Sequence, residues 1–159
     1  AERPDEAEAL QAETDPNETA ALVLSSAGAL ARLPAVTGTD LGVVGFSMGG
    51  SWALWAAARL PQHIAAVATF YGTTDLDPEP ARAAVIAHLA ELDELVDEDE
   101  AVRMEAELRL LQREVEVHHY PGTGHWFFES DREAAHDAAA AEIAWDRTVA
   151  FLHRHLDTP

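Results

Sequence analysis

The sequence contains no cysteine and no lysine. Without cysteine the chain has no disulfide, no thiol nucleophile and no thiolate metal site, and it suits a reducing compartment. Basic side chains are also scarce: there are 10, all arginine, against 29 acidic ones, and the formal net charge is -19 at pH 7. Because a field of this sign repels polyanions, we expect no nucleic acid partner.

Long apolar runs are absent as well, and nothing approaches the roughly 20 consecutive apolar residues of a membrane-spanning helix. The first residues have neither the basic end nor the apolar centre of a signal peptide. We therefore predict a soluble, cytoplasmic protein with no membrane partner. With 159 residues, 48% of them hydrophobic, the whole chain is predicted to form one domain, whose acidic start over residues 1–15 is irregular.

Most of the excess negative charge lies in two stretches, residues 1–18 and 91–107. Neither stretch has the alternating ligand spacing of a calcium-binding loop. We interpret both as solvated surface and predict no metal site.

Apolar runs alternate along the chain with longer stretches of helical periodicity, without a repeat or a low-complexity linker between them. The predicted order is helix 16–33, strand 41–46, helix 51–60, strand 64–71, strand 83–90, helix 98–113, strand 115–120 and helix 131–156. The strand at 83–90 is the weakest of these predictions because its alanine content also permits a helix. Such alternation predicts an α/β fold of three layers, α/β/α, around a mostly parallel sheet.

Several helices carry sequence signals for their ends or their buried side. Asp15 and Pro16 are typical of the start of a helix. The periodicity of the third helix predicts an inner side made of Val102, Leu108 and Leu111. In the last helix the predicted inner residues are Ile143, Trp145, Val149, Phe151 and Leu152.

The sequence Gly45-Phe46-Ser47-Met48-Gly49 is a G-x-S-x-G motif between a buried strand and a helix. In that context the motif predicts a nucleophile elbow, a strained turn that exposes the serine hydroxyl at the end of the sheet. Gly45 and Gly49 are expected to allow close approach of strand and helix. The N–H of Met48, at the start of the helix, is the candidate oxyanion donor.

A serine nucleophile needs an acid and a histidine that follow later strands, in that order. Asp93 follows the strand at 83–90 and is the candidate acid. Spacing alone leaves three alternatives open, namely Glu91, Glu94 and Asp97.

His125 lies in the glycine-rich turn after the last strand, and it is the candidate general base. Its rivals are His118, His119, His153 and His155. These four lie within a predicted strand or helix and not in a loop at the end of the sheet, which makes them poorer candidates for the base. The pairs His118/His119 and His153/His155 also raise the possibility of a metal site, but adjacent or alternate histidines on one element rarely bind the same ion.

Aromatic residues near these motifs are candidates for a substrate pocket, although such spacings are also typical of a core. They are Trp52, Trp55, Phe127 and Phe128. No glycine pattern matches a phosphate-binding loop, so no cofactor is predicted.

Segments 30–50, 70–72, 90–96 and 115–128 together resemble the dienelactone hydrolase family of α/β-hydrolases. The run into the serine turn and the sequence PGTGHWFF are the most specific parts of the resemblance. The resemblance implies an α/β-hydrolase type of fold, with Ser47 as nucleophile, Asp93 as acid and His125 as base.

The resemblance also implies that Tyr71 lies beside the substrate pocket. Trp126 and Phe127 follow His125 directly in the same turn, and we predict that they also bind substrate.

Two positions depart from the best-known members of this family. Those members carry a cysteine nucleophile where this chain has Ser47. Members that cleave dienelactone also have a substrate-binding arginine where this chain has Glu129. The resemblance therefore implies a small-molecule ester or lactone with a neutral acyl part.

Family members are longer chains, with several strands before the segment that matches here. The resemblance therefore implies an N-terminally truncated form that lacks the second oxyanion donor and the strand beside residues 41–46. An uncovered apolar strand edge tends to pair with another chain. Three alternatives follow: the chain is a fragment of a longer protein, residues 1–20 cover the edge, or another subunit covers it in a homo-oligomer.

Two functions follow from these observations. The first is a serine hydrolase that cleaves an ester or lactone through an acyl-enzyme on Ser47. The alternative is a noncatalytic remnant or interaction module that pairs through the exposed sheet edge.

Overall fold

The protein is described by a computed structural model that covers residues 9–10, 12–38, 40–74 and 81–156. The chain divides into two compact units, residues 1–38 and residues 39–159.

The first unit contains helix α1, Pro16–Leu30. The predicted start of this helix is confirmed, because the carboxylate of Asp15 accepts the backbone N–H of Asn17 at 2.8 Å. The helix ends at Leu30, three residues before the predicted end at residue 33. Residues 9–10 and 12–13 are helical rather than irregular, and the rest of the acidic start, residues 1–8 and 11, lies outside the described residues.

The second unit is built on a four-stranded parallel sheet in the order β1-β2-β3-β4. The strands are β1 Leu41–Phe46, β2 Ile64–Phe70, β3 Ala84–Leu92 and β4 Val115–Gly124. All four predicted strands are confirmed. The alanine-rich run is strand β3 because it pairs with a neighbour on each side, where small side chains fill both buried faces.

The described residues of this unit also form three helices, namely α2 Met48–Arg59, α3 Glu98–Leu110 and α4 Ala138–Leu156. Ile86 of β3 packs in a cluster with Phe151 of α4. The next strand position, Val85, lines a small cavity with Leu54 of α2 and Met104 of α3. Since successive strand residues point to opposite faces, helices cover both faces of the sheet, and the three-layer prediction is confirmed.

The buried side of α3 differs from the predicted one. Val102 is 60% exposed, and the buried residues are Ala101, Met104 and Leu108. Because Ala101 and Met104 are buried while Val102 is exposed, the hydrophobicity of Val102 does not indicate which side of the helix packs against the protein.

The last helix also begins and faces differently from the prediction. It starts at Ala138, where the carboxylate of Asp137 accepts the N–H of Ala140 at 2.9 Å. Ile143 and Trp145, predicted on its inner side, are 48% and 45% exposed. Alanines and Thr148 take the buried positions instead, together with Phe151.

Among the described residues, no helix is long and apolar enough to span a membrane. In the same part of the chain, no group of three or more histidine or acidic side chains is arranged to hold a metal ion.

Candidate active site

A tight turn between β1 and α2 carries Ser47. Its φ of 52° lies in the left-handed region, which side chains rarely adopt. Two backbone hydrogen bonds hold this turn: the Ser47 N–H donates to the Phe70 carbonyl at 2.9 Å, and the Gly50 N–H donates to the Ser47 carbonyl at 2.8 Å. Met48 is the first residue of α2, so its N–H belongs to the positive end of the helix.

Glycine residues around this turn allow neighbouring backbone segments to approach closely. A Cβ at Gly45 would collide with the backbone of Gly49, as predicted, whereas a Cβ at Gly49 would meet nothing within 4 Å. The prediction that Gly49 is needed for close approach is therefore wrong. Gly72, which motif reasoning missed, is needed because a Cβ there would lie 2.5 Å from the Ser47 carbonyl oxygen.

The structure brings the three candidate catalytic residues into one hydrogen-bonded chain. Nε2 of His125 lies 2.9 Å from Oγ of Ser47. Nδ1 of His125 lies 2.9 Å from each carboxylate oxygen of Asp93. The side chains of His125 and Asp93 are only 5% and 6% exposed, which shields these contacts from water.

Strand pairing explains why Asp93 rather than a neighbour reaches the histidine. Leu92 at the end of β3 pairs with Gly124 at the end of β4, so the next residue of each strand lies at the same sheet edge. Oδ1 of Asp93 also accepts the N–H of Leu95 at 2.9 Å, which holds the loop. Of the three rivals, Glu91 instead accepts the Gly122 N–H at 2.7 Å.

The other two acidic rivals are also placed elsewhere. Asp97 caps α3 by accepting the N–H of Asp99 at 2.8 Å, and Glu94 is exposed.

The rival histidines lie away from this chain of contacts. Nε2 of His118 lies 3.4 Å from Glu116, and Nε2 of His155 lies 3.4 Å from Glu114. His119 and His153 are exposed. Sequence reasoning overlooked His88, a fully buried histidine in β3, because an isolated histidine within an apolar strand carries no motif.

The family model for dienelactone hydrolases matches residues 1–156. The chain belongs to the dienelactone hydrolase family. Its relatives include the protein named usf of Aquifex pyrophilus, 34% identical over 119 residues, which are 73% of this chain and 52% of that protein. Carboxymethylenebutenolidase of Rhodococcus opacus is 33% identical over 129 residues, which are 72% of this chain and 50% of that enzyme.

This dienelactone hydrolase family chain spans about half the length of those curated relatives. Among solved structures it is similar to MGS-M1, an α/β-hydrolase enzyme from a Medee basin deep-sea metagenome library. The TM-score is 0.66 at 18% identity, over 87% of this chain and 62% of that one. The fold is therefore of the α/β-hydrolase type.

Two aromatic rings flank the imidazole of His125 in this family member. The ring centroid of Tyr71 lies 4.7 Å from that of His125, and the Trp126 ring meets the imidazole edge-on at 4.8 Å. Tyr71 is fully buried, as is Phe127, which packs against it at 5.6 Å. The structure thus places Phe127 in the core, and a role for it in substrate binding stays a prediction.

Glu129 binds Tyr71 directly and is linked to Trp126 through Arg132. Its Oε1 accepts the Tyr71 hydroxyl at 2.9 Å, and its Oε2 accepts Nε–H of Arg132 at 2.7 Å. Burial, together with the hydrogen bond to Glu129 and its negative charge, raises the pKa of Tyr71 well above its usual value of 10.0. The Tyr71 hydroxyl therefore stays protonated and donates to Glu129.

An open cleft of about 570 Å³ lies beside the turn that carries His125 and Trp126. Leu92 and Leu95 contribute apolar surface to it, with exposed fractions of 62% and 63%. Trp52 and Trp55, the other candidate pocket residues of α2, are outside this lining and pack against each other at 5.2 Å.

Proposed function

We propose that this chain is a serine hydrolase that cleaves a carboxylic ester or lactone through an acyl-enzyme on Ser47. The observation that carries the proposal is the continuous series of hydrogen bonds from Ser47 through His125 to Asp93. A serine hydroxyl is a weak nucleophile until a base takes its proton, and this arrangement supplies one. The names of the family and of its relative carboxymethylenebutenolidase support the same class of reaction.

In the first half-reaction, Ser47 Oγ attacks the acyl carbon while its proton passes to Nε2 of His125. Asp93 holds the imidazole in the required tautomer and stabilises the imidazolium that forms. The N–H of Met48, at the positive end of α2, is the proposed donor to the oxyanion. The carbon–oxygen bond of the ester then breaks, and the leaving alkoxide takes the proton from His125.

In the second half-reaction, a water molecule attacks the acyl-enzyme and gives a proton to His125. The bond between the acyl carbon and Ser47 breaks, and the serine oxygen recovers that proton. An ester yields an acid and an alcohol. A lactone yields one hydroxy acid, because its leaving group remains attached to the acyl part.

We infer that the acyl part of the substrate is neutral. Glu129 lies near His125 and its charge is matched by Arg132, so this side of the site has no net positive charge to attract a carboxylate. Hydrolysis of matched neutral and carboxylate-bearing esters tests this inference. A higher kcat/KM for the carboxylate-bearing ester would overturn it.

Labelling with a fluorophosphonate probe tests the nucleophile. The probe is expected to form one covalent adduct on Ser47, located by mass spectrometry, and Ser47→Ala should abolish it. Ser51→Ala is the matched control, because Ser51 lies one turn into the helix that follows Ser47 and its hydroxyl donates to the Thr73 carbonyl. Failure to label Ser47 in folded protein would exclude the catalytic proposal.

A second candidate function is association through the edge of the sheet at β1. Among the described strands, β1 pairs only with β2. The N–H and C=O groups on its other edge, with which no described strand pairs, can bind another strand, and the proposed occupant is β1 of a second copy. Light scattering across a dilution series tests this candidate. A monomer at all concentrations would exclude it without bearing on catalysis.

A further inference from the structure

The residues around His125 form a closed ring of contacts. Tyr71 and Trp126 flank the imidazole at 4.7 and 4.8 Å between ring centroids. Cζ of Arg132 lies 4.3 Å from the Trp126 ring centroid, in cation–π contact. Glu129 closes the ring, because one carboxylate oxygen binds Tyr71 and the other binds Arg132. We call these four residues the His125 clamp.

Backbone strain shows that both flanking rings are held under constraint. Tyr71 has a φ of 39° and Trp126 a φ of 65°, both in the region that side chains rarely adopt. Such conformations are strained and persist only where surrounding contacts impose them. The Glu129 carboxylate binds the Tyr71 hydroxyl directly, and it also binds Arg132, which in turn packs on the Trp126 ring.

The backbone keeps Glu129 in place for this task. Its N–H donates to the Trp126 carbonyl at 2.9 Å, and the Arg132 N–H donates to the Glu129 carbonyl at 3.0 Å. The Glu129 side chain is 28% exposed; its hydrogen bond with Tyr71 is partly buried, and its hydrogen bond with Arg132 is exposed. A compact turn therefore links the carboxylate to the residue beside His125.

The imidazole must keep one orientation to face Ser47 and Asp93 at once. Rotation of the ring would lengthen both 2.9 Å contacts. The rings of Tyr71 and Trp126, which contact the imidazole, oppose that rotation as long as these two rings keep their own positions. We propose that Glu129 is a positioning residue, which fixes Tyr71 and Trp126 and thereby holds His125 in line with Ser47 and Asp93.

Proton NMR of the purified protein tests the positioning without any substrate. The Nδ1 proton of His125, hydrogen-bonded to Asp93, should give a downfield resonance that His125→Gln removes. In Glu129→Ala, exchange of this proton with water should become roughly 10-fold faster, because the ring is less confined. Glu133→Ala is the matched control, an exposed carboxylate of the same loop, and should leave the exchange rate unchanged.

Two milder variants refine the test. Glu129→Gln keeps an oxygen for the Tyr71 hydroxyl but loses the charge opposite Arg132, so its exchange rate should be intermediate. Tyr71→Phe removes only the hydroxyl that binds Glu129, and it replaces Glu129→Ala in the test if that variant does not fold. Unchanged exchange in folded Glu129→Ala, or in Tyr71→Phe in its place, overturns the proposal.

The kinetic consequence rests on the proposed hydrolase function. Glu129→Ala should lower kcat roughly 10- to 100-fold, with KM changed by less than about twofold, because only the alignment of the base is lost. Faster proton exchange without any ester hydrolysis by the unsubstituted protein would reject the hydrolase function and keep the positioning role. Unchanged exchange and unchanged kcat in an active protein would reject the positioning role alone.

Discussion

Replacing His88 by glutamine should make the folded protein less sensitive to acid. Nε2 of His88 lies 2.9 Å from Oγ1 of Thr148, and Nδ1 lies 2.7 Å from the Tyr120 hydroxyl. The Thr148 hydroxyl donates its proton to the Ala144 carbonyl at 2.9 Å, so its oxygen accepts Nε2–H of His88. Nδ1 of His88 therefore accepts the Tyr120 proton, and the buried imidazole is neutral.

Protonation of His88 would place an N–H on Nδ1, opposite the Tyr120 hydroxyl that already donates its own proton to this nitrogen. Burial is the main cause that lowers the pKa of His88 from 6.5 to about 3, and the positive charges of His118 and Arg147 add to it. As the pH falls below 6.5 the unfolded chain binds this proton while the folded protein does not, so folding stability is lost. Between pH 7 and pH 5 the loss attributable to His88 is about 2 kcal/mol.

Urea unfolding followed by tryptophan fluorescence measures this loss. The free energy of unfolding should fall by about 2 kcal/mol more in the unsubstituted protein than in His88→Gln over that pH interval. Other titrating groups cancel in the comparison because both proteins contain them. His119→Gln, an exposed position on β4, is the control and should follow the unsubstituted protein. An equal pH dependence in His88→Gln and the unsubstituted protein would refute the reasoning.

Two other changes probe the site. Asp93→Asn should lower kcat/KM for an ester roughly 1000- to 10,000-fold, since an amide stabilises the wrong imidazole tautomer, and a loss below about tenfold would contradict the assigned role. Gly72→Ala should cost roughly 1–3 kcal/mol in urea unfolding, because its Cβ would lie 2.5 Å from a backbone oxygen. The helical control Gly49→Ala should gain roughly 0.5–1 kcal/mol, and the reverse order would count against the glycine assignment.

The strands were predictable because their apolar runs are continuous. LGVVGF forms β1 with the predicted bounds, and the alanine-rich run before Asp93 forms β3. A strand buried on both faces needs no polar alternation, so its composition alone is informative. The end of β4 was not predictable, because its last residues, Pro121–Gly124, read locally as a turn and only the pairing of Gly124 with Leu92 extends the strand.

Helix orientation was less predictable, because hydrophobicity does not decide which side packs closely. In α4 three alanines, Ala140, Ala141 and Ala144, are buried, and the larger Ile143 and Trp145 are about half exposed. Close approach of a helix to a sheet favours small side chains at the contact, and this preference opposes the usual hydrophobic pattern.

The sequence by itself determined the local chemistry of this protein. A buried strand, the glycine-rich serine turn and the later histidine turn are encoded by neighbouring residues, so they could be identified without coordinates. The tertiary structure alone decided which carboxylate meets His125, because that choice depends on the pairing of β3 with β4. It also decided the partners of Glu129 and the burial of His88, since Tyr71 meets Glu129 across 58 residues of chain and no local pattern encodes such a contact.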